Sequence, residues 1–133
     1  MANSKIYYSD IDLTLKRNPI TRDVMRKTNV ASVNQSIRNI ILTNRFEKRM
    51  NPDFGGNIYD TLFEFRDEFT RRDLQTGIKL AIENYEPRVQ IVDVGVEYPE
   101  EKFNTVVVNI VFNYILLATD QEVNTKFSLE RVR

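Results

Sequence analysis

The sequence contains no cysteine and no histidine. Without cysteine there is no disulfide, no thiolate nucleophile and no thiolate metal site. Without histidine the chain lacks the commonest general base at neutral pH and the commonest metal ligand. Net charge is lacking too. Nineteen basic and nineteen acidic side chains cancel, so no long-range field holds a nucleic acid or an anionic membrane. Low net charge instead favours association with other proteins. No apolar run approaches the ~20 residues that a membrane-spanning helix needs, and Met1–Tyr8 is too polar for a signal peptide. Internal repeats and low-complexity tracts are missing as well. The expectation is a soluble protein made and used in a cytoplasm, with no catalytic residue, metal or cofactor, and with neither nucleic acid nor membrane as a partner.

What is present fits one domain over residues 1–133, with 41% hydrophobic content and a small core. Residues 1–20 scatter their apolar side chains without period and read as an irregular N-terminal arm closed by Pro19. A short β-prone segment follows at Thr21–Thr28. Ser32 and Gln35 have the spacing of a capping box, and Val33, Ile37, Ile40 and Ile41 then mark one helix face, ending near Asn44. Arg45–Asn57 reads as a loop, with Asn51-Pro52-Asp53-Phe54-Gly55-Gly56 as its turn. Asn57 could cap a short helix containing Ile58, Leu62 and Phe63. A second capping box at Thr70–Asp73 precedes Leu74, Ile78, Ala81, Ile82 and Tyr85 at helical spacing, and Pro87 stops that helix at Glu86.

From Arg88 the period becomes two. Val92, Val94, Val96 and Tyr98 alternate with polar residues, whereas Val89 and Ile91 are in the opposite phase. That conflict predicts a bulge or two-sided burial near 91–92. Pro99–Asn104 is a turn, and Thr105–Leu117 reads as a central strand covered on both sides. Val123, Thr125, Phe127 and Leu129 alternate with Asn124, Lys126, Ser128 and Glu130 in a half-buried last strand, Val123–Val132. Two main helices followed by an antiparallel meander make an α+β domain.

Carboxylates cluster at Glu64, Asp67 and Glu68 and again at Glu97, Glu100 and Glu101. A close pair could hydrolyse a glycosidic bond, but with 29% charged residues such clusters arise by chance on solvated segments. The Asn51–Gly56 stretch lacks the Lys-Ser/Thr pair of a phosphate loop and reads as a tight turn. Tyr85-Glu86-Pro87-Arg88 joins the long helix to the first meander strand. Composition leaves it open between a structural corner and a docking site. The last strand is long, alternates well and has no proline, so its edge must be covered or paired. It could accept a strand in assembly or be covered by the N-terminal arm, and composition does not separate these.

Val33-Asn34-Gln35-Ser36-Ile37, Ile41-Leu42-Thr43, Asn51-Pro52-Asp53-Phe54-Gly55, Leu62-Phe63-Glu64 and Tyr85-Glu86-Pro87-Arg88-Val89 occur in an order and spacing that resemble the baseplate wedge and sheath-initiator family of contractile-tailed phages. Related subunits occur in type VI secretion baseplates and contractile bacteriocins. Tyr8-Ser9-Asp10-Ile11-Asp12 resembles the opening of phage members. The family's Gly-Glu-Arg is replaced by Phe46-Glu47-Lys48, its usual Leu-Phe-Glu-Pro continues here with Phe65, and its usual Trp is Tyr85. The resemblance implies a fold similar to the sheath polymerisation domain and a place in the virion tail baseplate, assembled in the host cytoplasm. It implies other baseplate wedge proteins and tail sheath subunits as partners. Glu86, Pro87 and Arg88 would contact the wedge core. The strand Val123, Asn124, Thr125, Lys126, Phe127, Ser128 and Leu129 would exchange with sheath arms. A lysozyme-like tail enzyme acting on peptidoglycan is the competing class.

Overall fold

The computed structural model describes residues 5–61, 64–102, 104–115 and 122–130, with the side chains of Tyr114, Leu129 and Glu130 left aside. Its elements are strands β1 (Ser9–Ile11) and β2 (Arg26–Thr28), helices α1 (Asn29–Leu42), α2 (Ile58–Thr61) and α3 (Glu68–Tyr85), and strands β3 (Val89–Glu97), β4 (Thr105–Tyr114) and β5 (Glu122–Glu130). The fold is α+β. Contacts gather the chain into two compact units, residues 1–36 and 37–133, and α1 runs through the boundary.

In the first unit β1 pairs antiparallel with β2, and an isolated bridge joins Arg17 to Val24. Within the stretch expected to be an irregular arm, Ser9–Ile11 therefore forms one limb of a two-stranded ribbon. Local propensity could not show this, because three-residue strands carry too few side chains to display a period. Two side chains hold the limb. Asn29 Oδ1 accepts the N–H groups of Tyr7 and Tyr8 at 2.8 and 3.2 Å. Gln35 accepts from the Leu13 N–H at 3.2 Å and donates to the Ile11 carbonyl at 2.8 Å. The helix thus starts three residues before Ser32. Ser32 is fully buried inside it, and Gln35 tethers the ribbon instead of completing a capping box.

In the second unit β3, β4 and β5 form an antiparallel meander with β4 in the centre. The phase conflict in β3 is resolved by a register shift between Ile91 and Asp93. Val92 is the extra residue and is 48% exposed, in place of its expected position on the apolar face. The shift puts Val89 and Ile91 on the same side as Val94 and Val96, and all four are buried. They pair across with Val108, Ile110, Phe112 and Tyr114 of β4. One face of β4 is fully buried, through Val106, Val108, Ile110 and Phe112. The other, with Val107, Asn109, Val111 and Asn113, is only half-buried, so the expected cover on both sides is partial.

α3 packs on β3 through the expected face of Leu74, Ile78, Ala81 and Ile82. Its start differs from expectation. Asp67 is the N-cap and accepts the Thr70 N–H at 2.7 Å. Thr70 lies one turn inside the helix and is buried, so the Thr70–Asp73 pair is not the cap. α1 buries Ile37, Ile40 and Ile41, as its period predicts. Asn57 precedes α2 with a left-handed φ of 52°, and Leu62 and Phe63 lie outside the described residues.

Candidate assembly surfaces

The α3–β3 corner is built by chain geometry. Pro87 disfavours helical backbone at the residue before it, and Glu86 has left the helix at φ −126°, ψ 83°. Its carboxylate turns inward and is 2% exposed. Arg88 answers it with two parallel bonds, Nε to Oε1 at 2.6 Å and Nη2 to Oε2 at 2.7 Å. A bidentate guanidinium–carboxylate pair is the strongest geometry available to these two side chains. The Arg88 side chain remains 25% exposed and Pro87 is exposed. The corner therefore has a buried acid, a half-covered base held in one orientation, and a rigid bend at the surface.

The loop expected as a tight turn meets this corner. The Phe54 ring lies 4.7 Å from that of Tyr85, tilted by 57°, and Lys48 Nζ lies over the Phe54 ring, 4.4 Å from its centroid. Gly56 donates its N–H to the Ile40 carbonyl at 3.0 Å, satisfying a group that the end of α1 would leave open. Two strings separated by some thirty residues in sequence thus form one surface with the end of α1. Sequence reasoning did not join them. The paired aromatics Phe54 and Tyr85 were the available signal.

The last strand lies where the alternation predicts. β5 pairs with β4 from Glu122↔Asn113 to Glu130↔Thr105. Val123, Thr125 and Phe127 are half-buried and stand opposite Phe112, Ile110 and Val108, whereas Asn124, Lys126 and Ser128 are exposed. Leu129 pairs with Val106 through its backbone, and Arg131–Arg133 lie outside the described residues. β5 is an edge strand. Among the described residues no strand pairs with its outer side, and β1 and β2 form a sheet of their own. A ladder edge left this way offers N–H and C=O groups to a neighbouring chain.

Two of the carboxylates, Asp67 and Glu68, have structural work at the start of α3. Asp67 is held below the usual carboxylate range, first by the backbone N–H of Thr70 and then by its hydroxyl. Glu68 pairs with Arg71 at 3.1 Å and Arg72 at 3.3 Å. Tyr98 lies under the guanidinium groups of Arg66 and Arg71, 5.5 and 5.4 Å from its centroid. Burial raises its pKa, and the two cations partly oppose that rise. A glycosidase acid needs a raised pKa, and Asp67 is shifted the other way. Among the described residues no three acidic side chains gather as a metal site would require.

The family model described as "Baseplate wedge protein gp25" matches residues 27–121. The baseplate wedge protein gp25 of Enterobacteria phage T4 is 35% identical over 115 residues, 86% of each chain. Among solved structures, a putative tail lysozyme from Geobacter sulfurreducens superposes with a TM-score of 0.66 at 25% identity, over 77% of this chain and 90% of that one. A chain of the anti-feeding prophage baseplate gives 0.63 at 19% identity, over 91% and 83%. A chain of the postcontracted pyocin R2 baseplate gives 0.61 at 18%, over 80% and 98%. At those last two identities the likeness is one of fold alone.

Proposed function

This chain belongs to the baseplate wedge protein gp25 family, and we propose that it is the wedge subunit on which the sheath of a contractile tail begins to assemble. The carrying observation is the outer side of β5, an edge with no partner strand among the described residues. Sheath arms add to this edge by strand exchange. Backbone pairing tolerates different partner sequences, which suits a subunit that must start a polymer of another protein. A single apolar face on β5 fixes the register of the template itself, since a slip of one residue would turn Phe127 and its neighbours to water.

Proline at Thr125 or at Lys126 tests this. Successive N–H groups along a strand point to opposite sides, so proline at only one of these two neighbours removes a donor from the outer edge. That variant should enter baseplates and leave tubes without sheath. Normal sheath on both variants, with the domain folded, would sink strand exchange and leave the family assignment standing.

Attachment to the wedge core falls to the corner of Glu86, Pro87 and Arg88. The support is an exposed bend with a guanidinium whose orientation is fixed from within. The same pair also holds the chain's own corner, so Arg88→Ala must be compared with wild type at a temperature where both are folded. Reduced entry into wedges under those conditions supports the contact. Equal entry makes the motif an internal brace only.

The enzyme reading has no comparable support. The carboxylates nearest one another serve as a helix cap and as partners of arginines. Purified protein incubated with peptidoglycan from acidic to neutral pH should match buffer, and turnover abolished by Glu64→Gln or Glu68→Gln would reverse this reading.

A further inference from the structure

A strand that adds to β5 meets more than backbone. Beside the outer edge of β5 lies a crevice of about 100 Å³ lined by Lys126, Phe127 and Ser128 together with Arg38 and Leu42 of α1. Side chains along a strand alternate between the two faces of the sheet. Phe127 stands opposite buried Val108 and shares its face. The residue of an added strand that comes to lie beside Phe127 therefore enters the crevice.

The crevice has a sign. Arg38 is exposed and forms no ion pair among the described residues, whereas Arg71, Arg72 and Arg88 each have a carboxylate partner. Among the described residues, no acidic one lines the crevice. It also has a size, well under the roughly 150 Å³ that admits a benzene ring, so an aliphatic stem fits better than an aromatic one. Its lining combines the apolar residues Phe127 and Leu42 with the cation Arg38.

From these features we infer that the crevice selects an acidic side chain, glutamate in length, on the strand that pairs with β5. The stem of that residue packs on Phe127 and Leu42, and its carboxylate meets Arg38 in a charge-assisted pair. This inference rests on the strand-exchange reading, and it supplies what backbone pairing lacks. A ladder alone accepts a neighbour at any offset of two residues, whereas one charged contact in a small crevice admits a single offset.

The test uses tails assembled with this chain as their wedge subunit. Sheathed tails are counted by electron microscopy, and incorporation of the chain into baseplates is measured on the same particles. Arg38→Glu should reduce sheathed tails at least tenfold with incorporation unchanged, and Arg38→Lys should stay within a few-fold of wild type. Arg38→Gln, which keeps much of the stem without the charge, decides the matter if the glutamate variant fails to fold, and should also reduce sheathed tails several-fold. A photo-crosslinking residue at Leu42 should couple to a sheath strand within two residues of an aspartate or glutamate. Wild-type sheath numbers for both Arg38→Glu and Arg38→Gln would overturn the selectivity pocket, as would a crosslink far from any acid. If the proline variant at the edge still loses its sheath in that case, strand exchange survives. If it does not, both fall.

Discussion

At Gly55 the backbone has φ +124°, and a β-carbon built there would overlap the carbonyl oxygen of Thr43. Gly55→Ala should therefore destabilise the chain by about 2–3 kcal/mol, from left-handed strain and overpacking together. Chemical denaturation with an unchanged slope would check it, and a loss below about 0.5 kcal/mol would show that the loop can shift away. At the corner, removing one partner breaks a bidentate pair whose carboxylate is 2% exposed. Glu86→Ala or Arg88→Ala should cost roughly 3 kcal/mol, read as a fall in Tm of about 10 °C. The double variant should cost less than the sum of the two. Strict additivity would mean that the bidentate geometry contributes little in solution. Asp67 carries a pH signature. Its folded pKa is depressed below the usual 3.8, so its stabilisation of α3 is complete above that value and is lost as pH falls through the folded one. Asp67→Asn keeps a capping oxygen and should flatten this acid limb of the stability curve. An unchanged limb would place the titration elsewhere.

Among the elements, those with many side chains per period were legible and the short ones were not. α3 and α1 each present a full apolar face, and β3 to β5 alternate over nine or ten residues. The clash of phase between Ile91 and Val92 announced the bulge, because no regular strand can bury both. The sequence patterns of the caps misled for a physical reason. Ser32–Gln35 and Thr70–Asp73 have the right spacing, but each lies a turn inside its helix, where Gln35 and Thr70 are buried. Asp67 three residues before Thr70 satisfies the same donor geometry and was hidden among carboxylates. The β1–β2 ribbon left no period to read, since its pairing depends on Asn29 and Gln35 reaching back more than twenty residues. Deleting Val92 should make β3 a regular strand with Val89, Ile91, Val94 and Val96 all on the buried face, because the extra residue is the one removed. A cooperative transition within a few degrees of wild type is the expected result, and loss of that transition would show that the bulge is needed for the strand to pair.

For the whole molecule, a continuous helix crosses the boundary between the two compact units. Helix formation is cooperative along its length, so fraying the last turns of one unit disturbs the first turns of the other. Unfolding followed by circular dichroism and by calorimetry should therefore give a single coincident transition. Gln35→Ala should loosen the ribbon without moving that transition by more than a few degrees, and hydrogen exchange at Leu13 should accelerate selectively. Two separated transitions would mean that the units are energetically independent. The candidate surfaces were legible as strings but not as surfaces. Phe54 and Tyr85 meet only because the loop returns under α1, and Arg38 reaches the crevice beside Phe127 only in three dimensions.

The ribbon of the first unit has a consequence for how many partners one copy can serve. Its strand β1 is already engaged with β2 and pinned by Asn29 and Gln35. In the terms of polymer chemistry, on the strand-exchange reading proposed above the subunit would accept a strand at β5, while β1, already engaged, would not be free to be given, so its valence in the chain reaction would be one. It would then be an initiator that does not propagate itself. The number of growing filaments would be set by how many copies the baseplate holds. Excess free protein should sediment as a monomer at micromolar concentration and should cap sheath arms in solution instead of seeding rings. Self-assembled oligomers of the purified chain would show that the ribbon opens and that its strand can be lent after all.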